Sequence, residues 1–159
     1  MKVAASFIAI LFLLASCTKD DDQQNPPNYG SLYTGSYSSH LSISISNDLA
    51  FTNLFQVPDH ADVNLNIKAD TNDCNKIWIS GLYGTSQSIP AMATASGFNL
   101  IPSGTGMHPA DIGFAKLNGQ VDPYFDILTI DGNYINGLLQ YNLSDNGLYL
   151  VSCSGTLNH

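Results

Sequence analysis

Leu41, Ile43 and Ile45 are separated by single serines, and Val63, Leu65 and Ile67 by single asparagines. A period of two places every apolar side chain of such a segment on one face and every polar one on the other, so both are half-buried strands. Residues 76 to 83, with Ile77, Trp78 and Ile79, read as a third strand, joined to the second by the polar segment Asp70-Thr71-Asn72-Asp73. Further strands are expected over 88 to 94, 97 to 101, 112 to 117 and 125 to 130, with turns at Ser96-Gly97, Ser103-Gly104, Asn118-Gly119 and Asp131-Gly132. The last hairpin runs from 134 to 143, turns at Ser144-Asp145-Asn146-Gly147 and returns over 148 to 157. Asn-Gly suits that turn because both residues tolerate positive φ. Only residues 47 to 55, with Leu49, Phe51, Leu54 and Phe55, offer a helical stripe, and a loop fits them equally.

Many short strands at close spacing, without long helices, predict a single all-β domain. The hairpin-length connections of the second half favour an antiparallel up-and-down β-barrel of about eight strands over residues 30–159, because sequence neighbours then lie side by side. A β-sandwich is the alternative.

Composition narrows the partners. The 159 residues contain 13 acidic and 5 basic side chains, a formal charge of −8, with every acid an Asp and every base a Lys. Without arginine or a basic run, the electrostatic attraction that dominates nucleic-acid binding is missing, so no nucleic-acid partner is expected.

The amino terminus carries an address. Lys2 precedes an uncharged, mostly apolar run from Val3 to Ser16, followed by Lys19-Asp20-Asp21-Asp22. That is a secretory signal layout, and the run falls short of the roughly 20 residues of a spanning helix. Leu14-Ala15-Ser16-Cys17 resembles the lipobox of bacterial lipoproteins at all four positions. The resemblance implies a signal peptide over 1–16, diacylglycerol transfer to the Cys17 thiol, cleavage before it, and acylation of the new amino terminus with a chain such as palmitate. Two or three acyl chains anchor stably, since each buried CH₂ contributes about 0.8 kcal/mol. Residues 17–29 then form the lipidated Cys and a flexible acidic tether, with Gln23, Gln24, Asn25 and Pro26-Pro27 offering little to bury. Lys19 followed by three Asp resembles the export signal of surface-exposed lipoproteins in Bacteroidota. It implies a lipid-anchored, surface-exposed protein of the cell outer membrane.

Gly35-Ser36-Tyr37 in a first strand, Asn75-Lys76-Ile77-Trp78-Ile79 in the middle, Gly132-Asn133-Tyr134-Ile135-Asn136-Gly137 near the end and a final strand with Cys153 resemble the small lipocalin-like lipoproteins of Bacteroidota. The resemblance spans most of 30–159 and brings no catalytic residues. Tyr37 stands where lipocalins proper carry Trp.

With Cys17 lipidated, Cys74 and Cys153 are the remaining thiols, and an oxidising compartment favours a disulfide between them over two buried free thiols. Asp59-His60-Ala61-Asp62 and Asp70-Thr71-Asn72-Asp73 read as solvated turns rather than calcium loops, since the second lacks the Gly and the terminal bidentate carboxylate. His40, His60, His108 and His159 show no paired ligand spacing, and no metal or other cofactor is expected. No carboxylate pair stands out for glycosidase chemistry, and no Gly-x-Ser-x-Gly elbow occurs, so the chain is expected not to be an enzyme. Tyr29, Tyr33 and Tyr37 cluster near the domain entry. Tyr37, Trp78, Tyr83, Tyr124 and Tyr134 are the candidate ligand-binding residues, either ordinary sheet aromatics or rings at a barrel mouth. The expected function is a non-catalytic, lipid-anchored envelope barrel that binds a small apolar or amphipathic ligand or serves as an interaction module. A surface carbohydrate-binding accessory is the alternative.

Overall fold

The computed structural model describes residues 27–45, 57–107, 109–112, 127–145 and 148–159. A single helical turn, α1 (Gly30–Tyr33), leads into β1 (Gly35–Ile45), followed by β2 (His60–Ala69), β3 (Lys76–Ser80), β4 (Ile89–Thr94) and β5 (Gly97–Leu100). After the two-residue strand β6 (Ser103–Gly104) and a 3-10 turn (Pro109–Ile112) come β7 (Thr129–Ile135), β8 (Leu138–Asp145) and β9 (Leu148–Thr156).

Every pairing is antiparallel. β1 pairs with β2 from Gly35↔Ile67 to Ser42↔His60 and, on its other edge, with β9 from Ser42↔Ser154 to Ile45↔Val151. β5 pairs with β7 through Gly97↔Ile135, Phe98↔Tyr134 and Asn99↔Asn133, and this short seam closes a barrel of eight strands with β6 outside it. Closure removes the exposed edges that an open sheet would present. The sandwich alternative therefore falls, and the up-and-down barrel holds.

Chain neighbours being spatial neighbours, the connections alternate between two ends. α1, the carboxyl terminus and the turns after β2, β4 and β7 share the amino-terminal end. The long connections after β1, β3 and β5 share the other, called here the loop end.

The period-two pattern explains the cross-section. Tyr37, Leu41 and Ile43 of β1, Leu65 and Ile67 of β2, Ile77 and Ile79 of β3 and Leu139, Tyr141 and Leu143 of β8 all point inward into one continuous cluster. Leu41, Ile77, Ile89, Ala91, Ile130, Leu139, Leu143 and Val151 have no accessible surface, so no water-sized gap lies beside them and the waist is filled. Outward positions on β1 and β2 carry Ser36, Ser38, Ser42, Asp62, Asn64 and Lys68 instead. An apolar interior under a polar wall is the inverse of a barrel that crosses a bilayer with its strands. Among the described residues no helix is long and apolar enough to cross a membrane.

Several local expectations change. Asp131-Gly132 is not a turn but lies inside β7, where a Cβ on Gly132 would meet the Gln140 carbonyl oxygen at 2.2 Å and the Tyr141 Cα at 2.5 Å. Glycine is there to let β7 pass close to β8. The hairpin turns at Asn136 and Gly137 instead, with φ of 54° and 85°, the left-handed pair that Asn-Gly supplies. Ser103-Gly104, expected as a turn, forms β6 against Ile130 and Thr129. Residues 109 to 112 make a 3-10 turn, while 113 to 126 and the segment 47 to 55 lie outside the described residues.

Candidate functional site

Among the described residues, the four candidate aromatics Tyr37, Trp78, Tyr83 and Tyr134 do not converge. Tyr37 and Tyr134 face inward at the amino-terminal end, where Tyr33 of α1 closes over them. Phe98 stacks on Tyr134 at 5.0 Å between centroids, and Tyr33 meets both rings edge-on, at 5.6 Å from Phe98 and 6.2 Å from Tyr134. Two hydroxyls lock the plug: Tyr37 donates to the Tyr33 carbonyl at 2.9 Å and Tyr33 to the Thr94 carbonyl at 2.9 Å. Burial, then the neighbouring phenols, pushes both Tyr33 and Tyr37 above the usual tyrosine range. The expected clustering of Tyr33 and Tyr37 is present, but it builds a plug rather than a mouth.

Trp78 lies on the outer wall. Its Nε1 donates to Asp70 Oδ2 at 2.7 Å, and the Lys76 ammonium sits 4.6 Å from its ring centroid. Asp70 also accepts from the Asn72 amide at 2.8 Å, and Asp73 from the Asn75 amide at 2.9 Å, so the segment 70 to 75 folds as two Asx turns. The Asn72 amide first, and the Trp78 indole second, hold the Asp70 carboxyl below its ordinary value. Among the described residues no group of three or more His, Cys, Asp or Glu side chains converges on a metal-sized site.

Tyr83 is at the loop end, where its hydroxyl donates to the Ile112 carbonyl at 3.2 Å and its own carbonyl accepts from the Tyr141 hydroxyl at 3.2 Å. It ties the 3-10 turn to the core. Tyr124 lies outside the described residues.

The Cys74–Cys153 disulfide is not formed: Cys153 is a buried free thiol. The register explains why. Cys74 is in the turn after β2, its carbonyl accepting from the Gly30 amide at 2.8 Å, and thus lies at the amino-terminal end with Gly35. Cys153 pairs instead with Ile43. From Gly35 to Ile43 a strand climbs about 26 Å at roughly 3.3 Å per residue, whereas bridged Cα atoms lie within about 7 Å of each other.

A different site lies on the outer wall, and no motif announced it. A cleft of about 380 Å³ crosses β1, β7, β8 and β9, lined by Ser44, Asn133, Gln140, Asn142, Ser152 and Ser154, with Gly132, Tyr141 and Cys153 in its floor. Ser152 donates to the Asn142 side-chain oxygen at 2.7 Å, which orients that amide. Lining groups are hydroxyls and carboxamides without a formal charge, so they match a neutral ligand rich in hydroxyls and offer no counter-charge to phosphate or carboxylate. On the same strand the Tyr149 ring is half exposed. The signal in the sequence was the outward half of the strand alternation, which carries no motif. Comparison of the chain with protein-family models, with curated proteins and with solved structures finds no match.

Proposed function

We propose that this chain is an outer-membrane lipoprotein, anchored through Cys17 and displayed at the cell surface, whose barrel is a non-catalytic binding module for a neutral saccharide held in the outer-wall cleft. One observation carries the reading. The waist of the barrel is filled, with Tyr141 and Phe98 fully buried, while the wall offers a cleft lined by neutral hydrogen-bonding side chains. An apolar ligand in the lumen would have to displace core side chains, at a cost of several kcal/mol each. The closed eight-stranded meander also agrees with the resemblance to small lipocalin-like lipoproteins of Bacteroidota.

Two experiments test the halves separately. Cys17→Ser should abolish acyl labelling and release the protein from membranes, and unchanged retention would sink the anchor. For the ligand, the exported Cys17→Ser protein is screened on immobilised neutral glycans beside a Gln140→Ala/Asn142→Ala variant. Losing two side-chain hydrogen bonds should weaken binding about tenfold or more. A native mass spectrum with a bound apolar adduct, kept in the double variant, would return the weight to a lumen carrier.

A further inference from the structure

The two ends of the barrel differ in chemistry. Leu32 on α1 is 61% exposed, and Ile135 and Leu138, paired across the β7–β8 hairpin, are 43% and 39% exposed. All three lie at the amino-terminal end around the aromatic plug: Leu32 adjoins Tyr33, and Ile135 adjoins Tyr134. Both described lysines, Lys68 near the end of β2 and Lys76 at the start of β3, sit at this end, balancing Asp70 and Asp73. Towards the loop end stand the exposed Asp59, Asp62 and Asp111 and the half-buried Asp131, with no lysine among the described residues there. Ile127 and Tyr149 are exposed towards the loop end as well, 58% and 50%, but they stand there among carboxylates, whereas Leu32, Ile135 and Leu138 lie at the end where lysines accompany the aspartates.

We infer that Leu32, Ile135 and Leu138 rest on the lipid surface, so that the barrel stands on its amino-terminal end and holds the loop end away from the membrane. This rests on the anchored reading above. The occupant follows from where the chain enters. Nine residues, ten Cα–Cα steps, separate Cys17 from Pro27, the first described residue, and α1 begins at Gly30. Fully extended, that tether spans at most about 35 Å. The end it joins is therefore held within reach of the bilayer, at a high effective concentration that the opposite end does not share. Exposed aliphatic side chains on such an end enter the headgroup boundary, while the acidic end is repelled by anionic lipid.

The test uses the full acylated chain in vesicles of phosphatidylcholine with a quarter phosphatidylglycerol, part of the lipid brominated. Trp78, the sole tryptophan, is replaced by Phe. A reporter is then introduced as Leu138→Trp at the amino-terminal end or Tyr149→Trp at the loop end. Side chains at the headgroup boundary sit within roughly 5–10 Å of the acyl region, so quenching at 138 should exceed that at 149 by about threefold or more. Adding Leu32→Asp and Ile135→Asp should bring the 138 signal down to the 149 level, with the acyl mass and vesicle association unchanged. Equal quenching at both positions, or none at either in protein that carries its acyl chains, overturns the footing and leaves the anchor standing. A chain without acyl mass that fails to sediment with vesicles overturns the anchor and the footing together. A dimer of the Cys17→Ser protein that Leu138→Asp dissociates would assign the patch to a second copy instead.

Discussion

Gly97→Val should prevent the barrel from closing and reduce stability by about 4 kcal/mol or more, at the extreme of single-substitution effects. A Cβ on Gly97 would stand 1.8 Å from the Tyr134 carbonyl oxygen, 2.9 Å from its carbonyl carbon and 3.2 Å from the Ile135 Cα. These are backbone atoms of the partner strand, so no rotamer relieves the clash and β5 must move away from β7. That seam consists of three register pairs, and Phe98↔Tyr134, at its centre, also carries the stacked rings of the plug. Opening it converts β5 and β7 into free edges, which pair readily with other chains. Urea unfolding with light scattering reads both consequences: a lowered midpoint and aggregation. Gly137→Ala is the comparison, because its Cβ would meet nothing within 4 Å while φ is 85°. The left-handed conformation alone costs about 1–2 kcal/mol. If Gly97→Val proves no worse than Gly137→Ala, the close approach of β5 and β7 is not what holds the barrel shut.

The barrel was legible where the alternation was clean. Leu41, Ile43, Leu65 and Ile67 are core residues because a half-buried strand cannot place them elsewhere without exposing all of them at once. The β7–β8 hairpin was harder, since two glycine dipeptides compete within seven residues. Asp131-Gly132 is a turn by composition, but its glycine serves a close approach between strands, which depends on the partner's position and leaves no local trace. α1 was missed because a four-residue turn has no period to read; it is held by the Cys74 carbonyl and by the packing of Tyr33. The same limit applies to the candidate site. Aromatic residues in strands fit either ordinary sheet positions or rings at a mouth, because which face a ring takes follows from parity within its strand: Tyr134 shares the inward parity of Ile130, and Trp78 the outward parity of Lys76. The cleft needs four strands in register before its serines and amides become neighbours, so no local window contains it.

Alkaline pH should unfold this protein through a pair of buried acids. Tyr141 and Cys153 are cross-strand partners on β8 and β9, both facing the core. Burial pushes the Cys153 thiol up to about 11, opposed only in part by its contact with the Tyr141 hydroxyl. Burial, and then the neighbouring thiol, drives the Tyr141 phenol well above its usual range. In the unfolded chain the thiol ionises near 9 and the phenol near 10. Below pH 9 both states keep both protons and stability is flat. Between 9 and 11 the unfolded state releases the thiol proton while the folded state retains it, so unfolding is favoured as pH rises. A shift of about two pKa units corresponds to a loss of about 2–3 kcal/mol by pH 11, and the phenol steepens the fall above 10. Urea midpoints at pH 7.5, 9, 10 and 11 measure the curve. Cys153→Ala should flatten the segment from 9 to 10 and leave the steeper loss above 10, where Tyr141 still resists ionisation. The folded wild-type thiol should also escape iodoacetamide at pH 8.5 and react once urea exposes it. A midpoint that holds steady from pH 7.5 to 11 would mean that water or a cation reaches this pair, and that the waist of the barrel is open after all.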